Sequence, residues 1–285
     1  MKARVRSLRS GKVVNVPEGD TVFLAASRLN AAIGGKRLLR TDFRVPAFAT
    51  SDLSGHVLTE VVSRGKHLLF RTEGEITLHT HFKMDGRWDL YRPGEPWAGP
   101  THHVRVVLTT ESHVAVGSRL GVTELIPTAR EHEVVGHLGP DVLGPDWDPD
   151  EVLTRFLDQP ERAIGEALVD QRVMAGPGNV YRNEVCFLRG LDPRTPVRAV
   201  PDLPRLIDLM KRLMEANRWT GNQITTGDTR RGRRHWVYGR AGQPCGRCGT
   251  LLRAEPGEPS TAERSTFWCP RCQPAMIDAV DRSAR

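Results

Sequence analysis

The pattern of apolar and polar positions divides the chain into a β-rich first half and a helical second half. Between residues 37 and 126, short β-rich runs alternate with turn residues at a spacing of roughly ten residues, which is typical of a β-sandwich or barrel. These runs are RLLRTDF, HVLTEVVSRG, KHLLFRT, EITLHTHF, GRWDLY, HHVRVVLTT and SHVAVGS. From residue 150 onward, helical spacing appears in PDEVLTRFL, AIGEALVD, GNVYRNEVCFL and DLPRLIDLMKRLMEANR. The pattern predicts an α+β fold.

One more helix is predicted ahead of the strands, in PEGDTVFLAASRLNAAIGG at residues 17–35. Asp20 stands where a helix cap is expected. The apolar positions of one helix face follow it: Val22, Ala25, Ala26, Leu29 and Ile33. Sixteen residues precede Pro17 and include five basic side chains and no acid. The helix therefore begins like a protein terminus, although it lies inside the chain.

Composition and charge indicate where the protein acts and what kind of partner it binds. The chain contains no run of 18 apolar residues and no signal-peptide core, so we expect a cytoplasmic protein without a membrane partner. The formal net charge is +7, of which residues 1–16 supply five positive charges. Residues 217–272 hold ten arginines against four acids. This concentration of arginine near the C-terminus indicates an anionic partner.

Four of the five cysteines form two C-x-x-C pairs, which are Cys245 with Cys248 and Cys269 with Cys272. Two such pairs with a Gly- and Thr-containing loop and a predicted strand, STFW, are typical of a zinc ribbon or finger with four thiolate ligands. Such a zinc ion has no open coordination position and is structural. A redox pair and a protein-interaction finger are the alternatives. Cys186, in an apolar run, is expected to be buried.

Two further motifs suggest chemistry. In MAGPGNVYRNEVCFLRGLDP, residues 174–193, Gly176 and Gly178 precede a helix that opens at Asn179, and its free N–H groups are suited to a phosphate. A helical hairpin without a ligand is the alternative. At Pro17-Glu18, a proline with a free amine can attack an electrophilic carbon, and the adjacent carboxyl can donate a proton. An internal proline cannot, and a plain helix start is then the simpler interpretation.

Taken together, six motifs resemble one known family. They are, in chain order, PEGDTV, RGKHLLF, HFKMDGRW, AGPGNVYRNEVCF, VYGRAGQPC and RSTFWCPRCQ. The chain resembles the bacterial formamidopyrimidine-DNA glycosylase and endonuclease VIII family of bifunctional DNA glycosylases from Pro17 to about Gln273. The resemblance implies an N-terminal helix with a β-sandwich, a helical domain with a helix-two-turns-helix motif, and a C-terminal zinc finger.

The resemblance also implies domain boundaries. The Gly- and Pro-rich stretch at residues 136–151 is typical of a boundary. The expected parts are an N-terminal extension at 1–16, a catalytic domain at 17–140, a helical DNA-binding domain at 150–235, a zinc finger at 236–275 and a tail at 276–285. Because the family chemistry needs a free amine at Pro17, we expect residues 1–16 to be a removed or misassigned extension. A GTG codon at Val16, serving as the start, would explain it.

By resemblance, Pro17 is the nucleophile that forms a Schiff base with the damaged nucleotide, Glu18 protonates the opening sugar, and Lys66 lies beside the phosphate of the lesion. The implied reaction removes an oxidised base and then cleaves the abasic site by β- and δ-elimination. The implied partner is double-stranded DNA containing oxidised bases or abasic sites, bound by a monomer.

Three more residues are implied to bind DNA. Met84 resembles the wedge that enters the base stack, Asn179 would hold a phosphate, and Arg264 would grip phosphates beside the lesion and so assist catalysis. The six tryptophans are dispersed and are expected to pack inside the protein, with Trp268 supporting the finger.

One departure from the family pattern bears on the substrate. The formamidopyrimidine branch usually has an Arg-Arg-Phe-Gly segment, whereas this chain has Ser118, Arg119 and Leu120 within GSRLG. The difference favours the endonuclease VIII branch, which acts on oxidised pyrimidines. The alternatives are a purine glycosylase of the formamidopyrimidine and 8-oxoguanine type, and a zinc-finger protein that binds damaged DNA without cutting it.

Overall fold

The computed structural model describes residues 17–257 and 265–275. The predicted extension at 1–16, Arg264 and the tail at 276–285 lie outside these residues. The domain boundaries proposed from the sequence stay predictions. None of the helices in the described ranges is both long enough and apolar enough to cross a membrane.

Two antiparallel sheets and one long helix form the first half of the molecule. The helix is α1 (Gly19–Ile33). The first sheet contains, in spatial order, β1 (Lys36–Arg37), β3 (Val57–Arg64), β4 (His67–Thr72), β5 (Ile76–His81) and β9 (Val122–Pro127). The second sheet contains, in spatial order, β2 (Arg40–Phe43), β7 (Val104–Thr109), β8 (Val114–Ser118) and β6 (Arg87–Tyr91). The predicted sandwich is confirmed.

Strand β9 was not predicted from the sequence. None of its six residues is fully buried, so its side chains do not alternate between core and solvent as clearly as those of the other strands. It pairs with β5 along the whole of that strand, from Ile76 opposite Pro127 to His81 opposite Val122. The first sheet therefore ends at a strand that sequence periodicity does not reveal.

Helix α1 closes one side of the sandwich core. The buried members of its predicted apolar face are Val22, Ala26, Leu29 and Ile33. They pack with side chains from both sheets, among them Leu58, Phe70 and Val106. The predicted cap was wrong, because the helix begins at Gly19 with Glu18 as its N-cap residue, and Asp20 lies buried in the first turn.

The second half is helical, as predicted. Its helices are α2 (Glu131–Val135), α3 (Pro149–Leu157), α4 (Ile164–Ala167), α5 (Asn179–Arg189) and α6 (Leu203–Asn217). The short α2 was not predicted, and α4 is shorter than its predicted segment. Asp148 caps α3 by accepting hydrogen bonds from the backbone N–H groups of Asp150 and Glu151. The apolar faces of α3, α5 and α6 pack into a second core around Phe156 and Met210.

A hairpin formed by β10 (Arg253–Glu255) and β11 (Thr266–Trp268) follows the helices. The predicted strand in STFW is confirmed by β11. Leu252 and Cys269 at the hairpin pack against Phe187 of α5 and against Val237. Helix α5 therefore belongs to the helical core on one side and supports the cysteine-bearing hairpin on the other.

Candidate active site

The carboxyl group of Glu18 lies completely buried against the first turn of α5. It accepts hydrogen bonds from the backbone N–H groups of Gly178 at 2.9 Å and Val180 at 2.7 Å, with a longer contact to the N–H of Tyr181 at 3.5 Å. The sequence had suggested that these N–H groups point outward to a phosphate. That expectation was wrong, because Glu18 from the other half of the chain already occupies them.

Glycines let the two segments approach this closely. A Cβ atom on Gly178 would lie 2.6 Å from Cδ of Glu18 and 2.7 Å from Nζ of Lys66. A Cβ atom on Gly19 would lie 2.8 Å from Cα of Gly176. The backbone N–H of Gly19 also donates to the carbonyl oxygen of Gly176 at 2.9 Å. Larger residues would separate α1 from α5 and so pull Glu18 away from its hydrogen-bond donors.

Lys66 approaches the same place from the loop between β3 and β4. The ammonium nitrogen of Lys66 and the carboxyl of Glu18 both lie beside Gly178, so the two groups are close to each other. The loop is held by Asp141, whose carboxylate accepts a 2.6 Å hydrogen bond from the N–H of Gly65. The structure thus brings together Pro17, Glu18 and Lys66, which the sequence had singled out in separate motifs.

Burial changes the acidity of Glu18. Removal from water raises the pKa of its carboxyl to about 7, with Lys66 acting to lower it and Asp20 acting to raise it. A carboxyl with this pKa is protonated in a substantial fraction of molecules near neutral pH. It can therefore donate a proton, which an ordinary surface glutamate can rarely do.

A second buried carboxyl lies one residue beyond Gly19 and was missed as part of the site. Asp20 accepts a 2.8 Å hydrogen bond from the hydroxyl of Tyr181 and is also bonded by the side chain of Gln223. Burial raises the pKa of Asp20. The only sequence signal was its place in the PEGDTV motif, where a helix cap was the simpler interpretation.

Met84 lies in the turn between β5 and β6 and is half-buried. Lys83 before it is exposed and has a positive φ of 52°. Because His67 pairs with His81 across β4 and β5, this turn lies at the same end of the sheet as Lys66. The placement fits a side chain that acts near the lesion, and the wedge role stays a prediction.

Asn179 opens α5, but its side chain is engaged inside the protein. It is only 6% exposed, and its Nδ2 donates to the carbonyl oxygen of Ser265 at 3.0 Å. Arg182 donates to the same oxygen at 3.0 Å, and the Oδ1 of Asn183 accepts a 2.7 Å hydrogen bond from the N–H of Phe267. This side of α5 anchors the residue that follows Arg264 in the chain. Phosphate binding by Asn179 stays a prediction.

The four cysteines of the two C-x-x-C pairs converge. Their Sγ atoms all lie within 4.8 Å of one another, with 4.0 Å between Cys245 and Cys272 and 3.5 Å between Cys248 and Cys269. Thiolates that share a tetrahedral metal at about 2.3 Å are separated by roughly 3.8 Å. The group can therefore hold a metal ion. Cys186 lies apart from it, completely buried, and burial raises the pKa of its thiol to about 12.

Comparison with protein-family models gives two matches. A model described as the formamidopyrimidine-DNA glycosylase N-terminal domain matches residues 16–120. A model described as the formamidopyrimidine-DNA glycosylase H2TH domain matches residues 138–225. The first covers Glu18 and Lys66, and the second covers the glycines and the α5 start that hold Glu18.

Comparison with individual proteins gives similar chains of nearly the same length. "Probable endonuclease 8 2" of Streptomyces coelicolor is 51% identical over 90% of this chain and 94% of its own. "DNA-(apurinic or apyrimidinic site) lyase Nei2" of Mycolicibacterium smegmatis is 48% identical over 91% of this chain and 100% of its own. The endonuclease 8 and Nei names agree with the branch that GSRLG had favoured.

The fold also matches solved structures. The formamidopyrimidine-DNA glycosylase of Lactococcus lactis, solved with DNA containing an abasic site, superposes with a TM-score of 0.75 at 22% identity. The match covers 90% of this chain and 100% of that one. With two family models in series and relatives near half identity over almost their whole length, the chain belongs to the formamidopyrimidine-DNA glycosylase family, on its endonuclease VIII side.

Proposed function

We propose that the protein is a base-excision DNA repair enzyme, a DNA glycosylase and abasic-site lyase that removes oxidised pyrimidines. The observation that carries the proposal is the Glu18 carboxyl, buried beside Pro17, close to Lys66 and raised in pKa to about 7. A carboxyl that is partly protonated near neutral pH and adjoins a potential amine nucleophile is suited to glycosidic-bond cleavage. Family membership and the names of the relatives support the same activity.

Pro17 is the proposed nucleophile. Its nitrogen attacks the anomeric carbon of the damaged nucleotide, the base leaves, and the product is an iminium ion. The attack needs a free amine, and the nitrogen of an internal proline is an amide, so the active protein begins at Pro17 and residues 1–16 are absent from it. The family-model match that begins at residue 16 supports this start.

Glu18 and Lys66 act on the sugar and its phosphate. The protonated Glu18 carboxyl donates to the ring oxygen as the sugar opens, and the hydrogen bonds from α5 hold the carboxyl in place. The ammonium group of Lys66 attracts the phosphate beside the lesion and stabilises the charge that develops there. Successive β- and δ-elimination from the iminium then cleave the strand on both sides of the sugar.

Double-stranded DNA is the proposed partner, bound by a monomer in the cytoplasm. Met84 fills the gap left by the displaced nucleotide, and Asn179 and Arg264 contact phosphates without reading sequence. Damage can arise in any sequence, so contacts of this kind suit the enzyme. Recognition of pyrimidines is favoured by Ser118, Arg119 and Leu120 in place of the Arg-Arg-Phe-Gly segment.

Zinc is the proposed metal of the four-cysteine group. Thiolates are soft ligands that bind zinc well, and the separations of these four suit tetrahedral coordination. The protein then occupies all four ligand positions of the ion. The ion stabilises the hairpin that supports Arg253 and Trp268. It takes no part in the chemistry at Pro17.

Borohydride trapping tests the proposal. Protein verified by intact mass to begin at Pro17 is incubated with duplex DNA containing an abasic site or 5-hydroxyuracil, and sodium borohydride is added. We expect a covalent protein–DNA adduct that maps to Pro17 by peptide mass spectrometry, and none with protein that retains residues 1–16, in which the Pro17 nitrogen is an amide. If neither DNA gave the adduct, the proposed glycosylase and lyase activity would be contradicted. The alternative of a protein that binds damaged DNA without cutting it would remain. An adduct on protein that retains Met1 would contradict the role of Pro17.

A further inference from the structure

An exposed aromatic ring stands directly after α6, against the expectation that the tryptophans pack inside. Trp219 is 58% exposed. In the described part of the chain, the exposed large apolar side chains are Leu39, Leu157, Trp219 and Leu251. Trp219 is the one aromatic residue in this group. Exposure of a large aromatic ring to water is unfavourable in free energy, which suggests that another molecule covers this surface.

The ring is held in a defined orientation. Phe23 of α1 meets it edge to face, with ring centroids 5.1 Å apart and an interplanar angle of 73°. The guanidinium of Arg218 lies 5.4 Å from the Trp219 ring centroid and 5.6 Å from that of Phe23. These contacts restrict Trp219 in advance of any binding, so a partner that stacks on it loses little side-chain entropy.

The residues after Trp219 tie this surface to the active site. The side chain of Gln223 bonds Asp20, and a Cβ atom on Gly221 would lie 3.0 Å from Cδ2 of Leu24 on α1. Phe23 stands five residues after Glu18, about 7.5 Å along the helix axis. The Trp219 ring, which contacts Phe23, is therefore placed near the start of the helix that follows Glu18.

The charge of the neighbouring loop suits DNA. Arg231 and Arg233 are exposed on the segment that follows, and Arg218 is half-exposed beside the ring. Cationic side chains around an aromatic surface are typical of sites where nucleic-acid bases stack while phosphates are held nearby.

We propose that Trp219 is the stacking surface for the damaged base once it has been flipped out of the duplex, so that Trp219 determines lesion specificity. This rests on the proposed function. A base must leave the stack to be excised, and flipped bases are commonly held against aromatic side chains. Planar oxidised pyrimidines such as 5-hydroxyuracil stack fully on an indole. Ring-saturated pyrimidines such as dihydrouracil are puckered and stack less well.

The test compares three duplex substrates under single-turnover conditions: 5-hydroxyuracil, dihydrouracil and a preformed abasic site. Trp219→Ala should slow release of 5-hydroxyuracil by roughly 10- to 100-fold. The loss with dihydrouracil should be smaller. Cleavage of the abasic site should stay within about twofold of wild type, because no base is present to stack. Trp219→Phe should retain most of the activity.

Leu39→Ala is the matched control, because Leu39 has the same 58% exposure and lies on the sandwich. It should leave all three rates unchanged. Trp219→Leu keeps apolar volume without an aromatic ring and gives the same comparison if alanine destabilises the fold. Equal losses on all three substrates, or no loss on any, would overturn the stacking role. A wild-type protein that neither releases bases nor cleaves abasic sites would instead refute the proposed function.

Discussion

Two buried glutamates, Glu18 and Glu184, are held by backbone N–H groups in similar ways and have different consequences. Glu18 comes from the start of α1 and binds the N-terminus of α5. Glu184 lies within α5 and accepts hydrogen bonds from the N–H groups of Trp236, Val237 and Tyr238 at 2.7, 2.9 and 2.8 Å. Both side chains are completely buried. Burial and backbone donors alone therefore do not distinguish a catalytic carboxyl from a structural one.

Their other neighbours do distinguish them. Glu184 also accepts a hydrogen bond from the hydroxyl of Thr225, so two donors meet each of its oxygen atoms. Those donors lie on the segment that leads into the cysteine hairpin, which Glu184 thereby fixes to α5. Glu18 instead adjoins Pro17, faces Lys66 and Asp20, and has a pKa raised to about 7. The same substitution at the two positions should consequently affect different properties.

Glu18→Gln should have the largest effect, on the reaction. Glutamine resembles the neutral form of the carboxyl but cannot donate a proton to the sugar, so base release should fall roughly 1,000-fold. The fold should be largely retained, because the amide nitrogen takes the acceptor from as few as one backbone N–H group, that of Val180, and burial already favours the neutral form of Glu18. Single-turnover base release and thermal unfolding measure the two properties. A large loss of stability with unchanged base release per folded molecule would make Glu18 a structural residue.

Glu184→Gln should have the opposite effect. The side-chain amide nitrogen of glutamine donates hydrogen bonds and cannot accept them. Two of the four groups that donate to Glu184 would therefore lose their acceptor inside the protein. We expect a loss of about 3 kcal/mol in the free energy of unfolding, measured in urea. Base release per folded molecule should change little.

Glu215→Gln is the control for that variant, because Glu215 is exposed on α6 and pairs with Lys211 at the surface. Its effect on stability should be below about 0.5 kcal/mol. If Glu184→Gln were no less stable than Glu215→Gln, the segment before the hairpin would have to be held by other contacts.

The contrast between the two glutamates also shows what the sequence could predict. Most of the strands, the helices α1, α3, α4, α5 and α6, and the PEGDTV motif follow from local spacing, and the structure bears out these elements. The occupation of the α5 N-terminus by Glu18 does not, because 160 residues separate Glu18 from Gly178. No local pattern identifies such a partner, so the N–H groups appeared free and Asp20 appeared to be a cap.

Exposure was equally hard to predict. Tryptophan is usually buried for most of its surface, which made packing the natural expectation for Trp219. Its exposure depends on where α6 ends relative to α1, a tertiary relation. Strand β9 was missed for a related reason, since none of its residues is fully buried and its pairing with β5 depends on residues 45 positions away, as between His79 and Glu124.

The smallest effect concerns pH and tests why Glu18 is distinct. The groups that influence its carboxyl include Lys66, Asp20, the ring hydroxyls of Tyr181 and Tyr238 and, in protein that begins at Pro17, the adjacent amine. Because its pKa rises from 4.5 to about 7 on folding, the stability that Glu18 contributes is fully present below pH 4.5 and is lost as pH rises to about 7. Base release that needs the protonated carboxyl should likewise decline above pH 7.

Asp20→Asn should move that decline to lower pH. Negative charge on Asp20 raises the pKa of Glu18, so its removal favours ionisation of Glu18 and lowers the rate near pH 7 to 8 by roughly two- to threefold. Asn retains the acceptor for the Tyr181 hydroxyl, so the network should persist. The measurement is the pH profile of single-turnover base release, with the exposed Asp208→Asn on α6 as control. A profile that keeps its shape but falls equally at every pH would mean that Asp20 only supports the fold, and the acidity of Glu18 would then depend on burial, on Lys66 and on the backbone N–H groups of Gly178 and Val180.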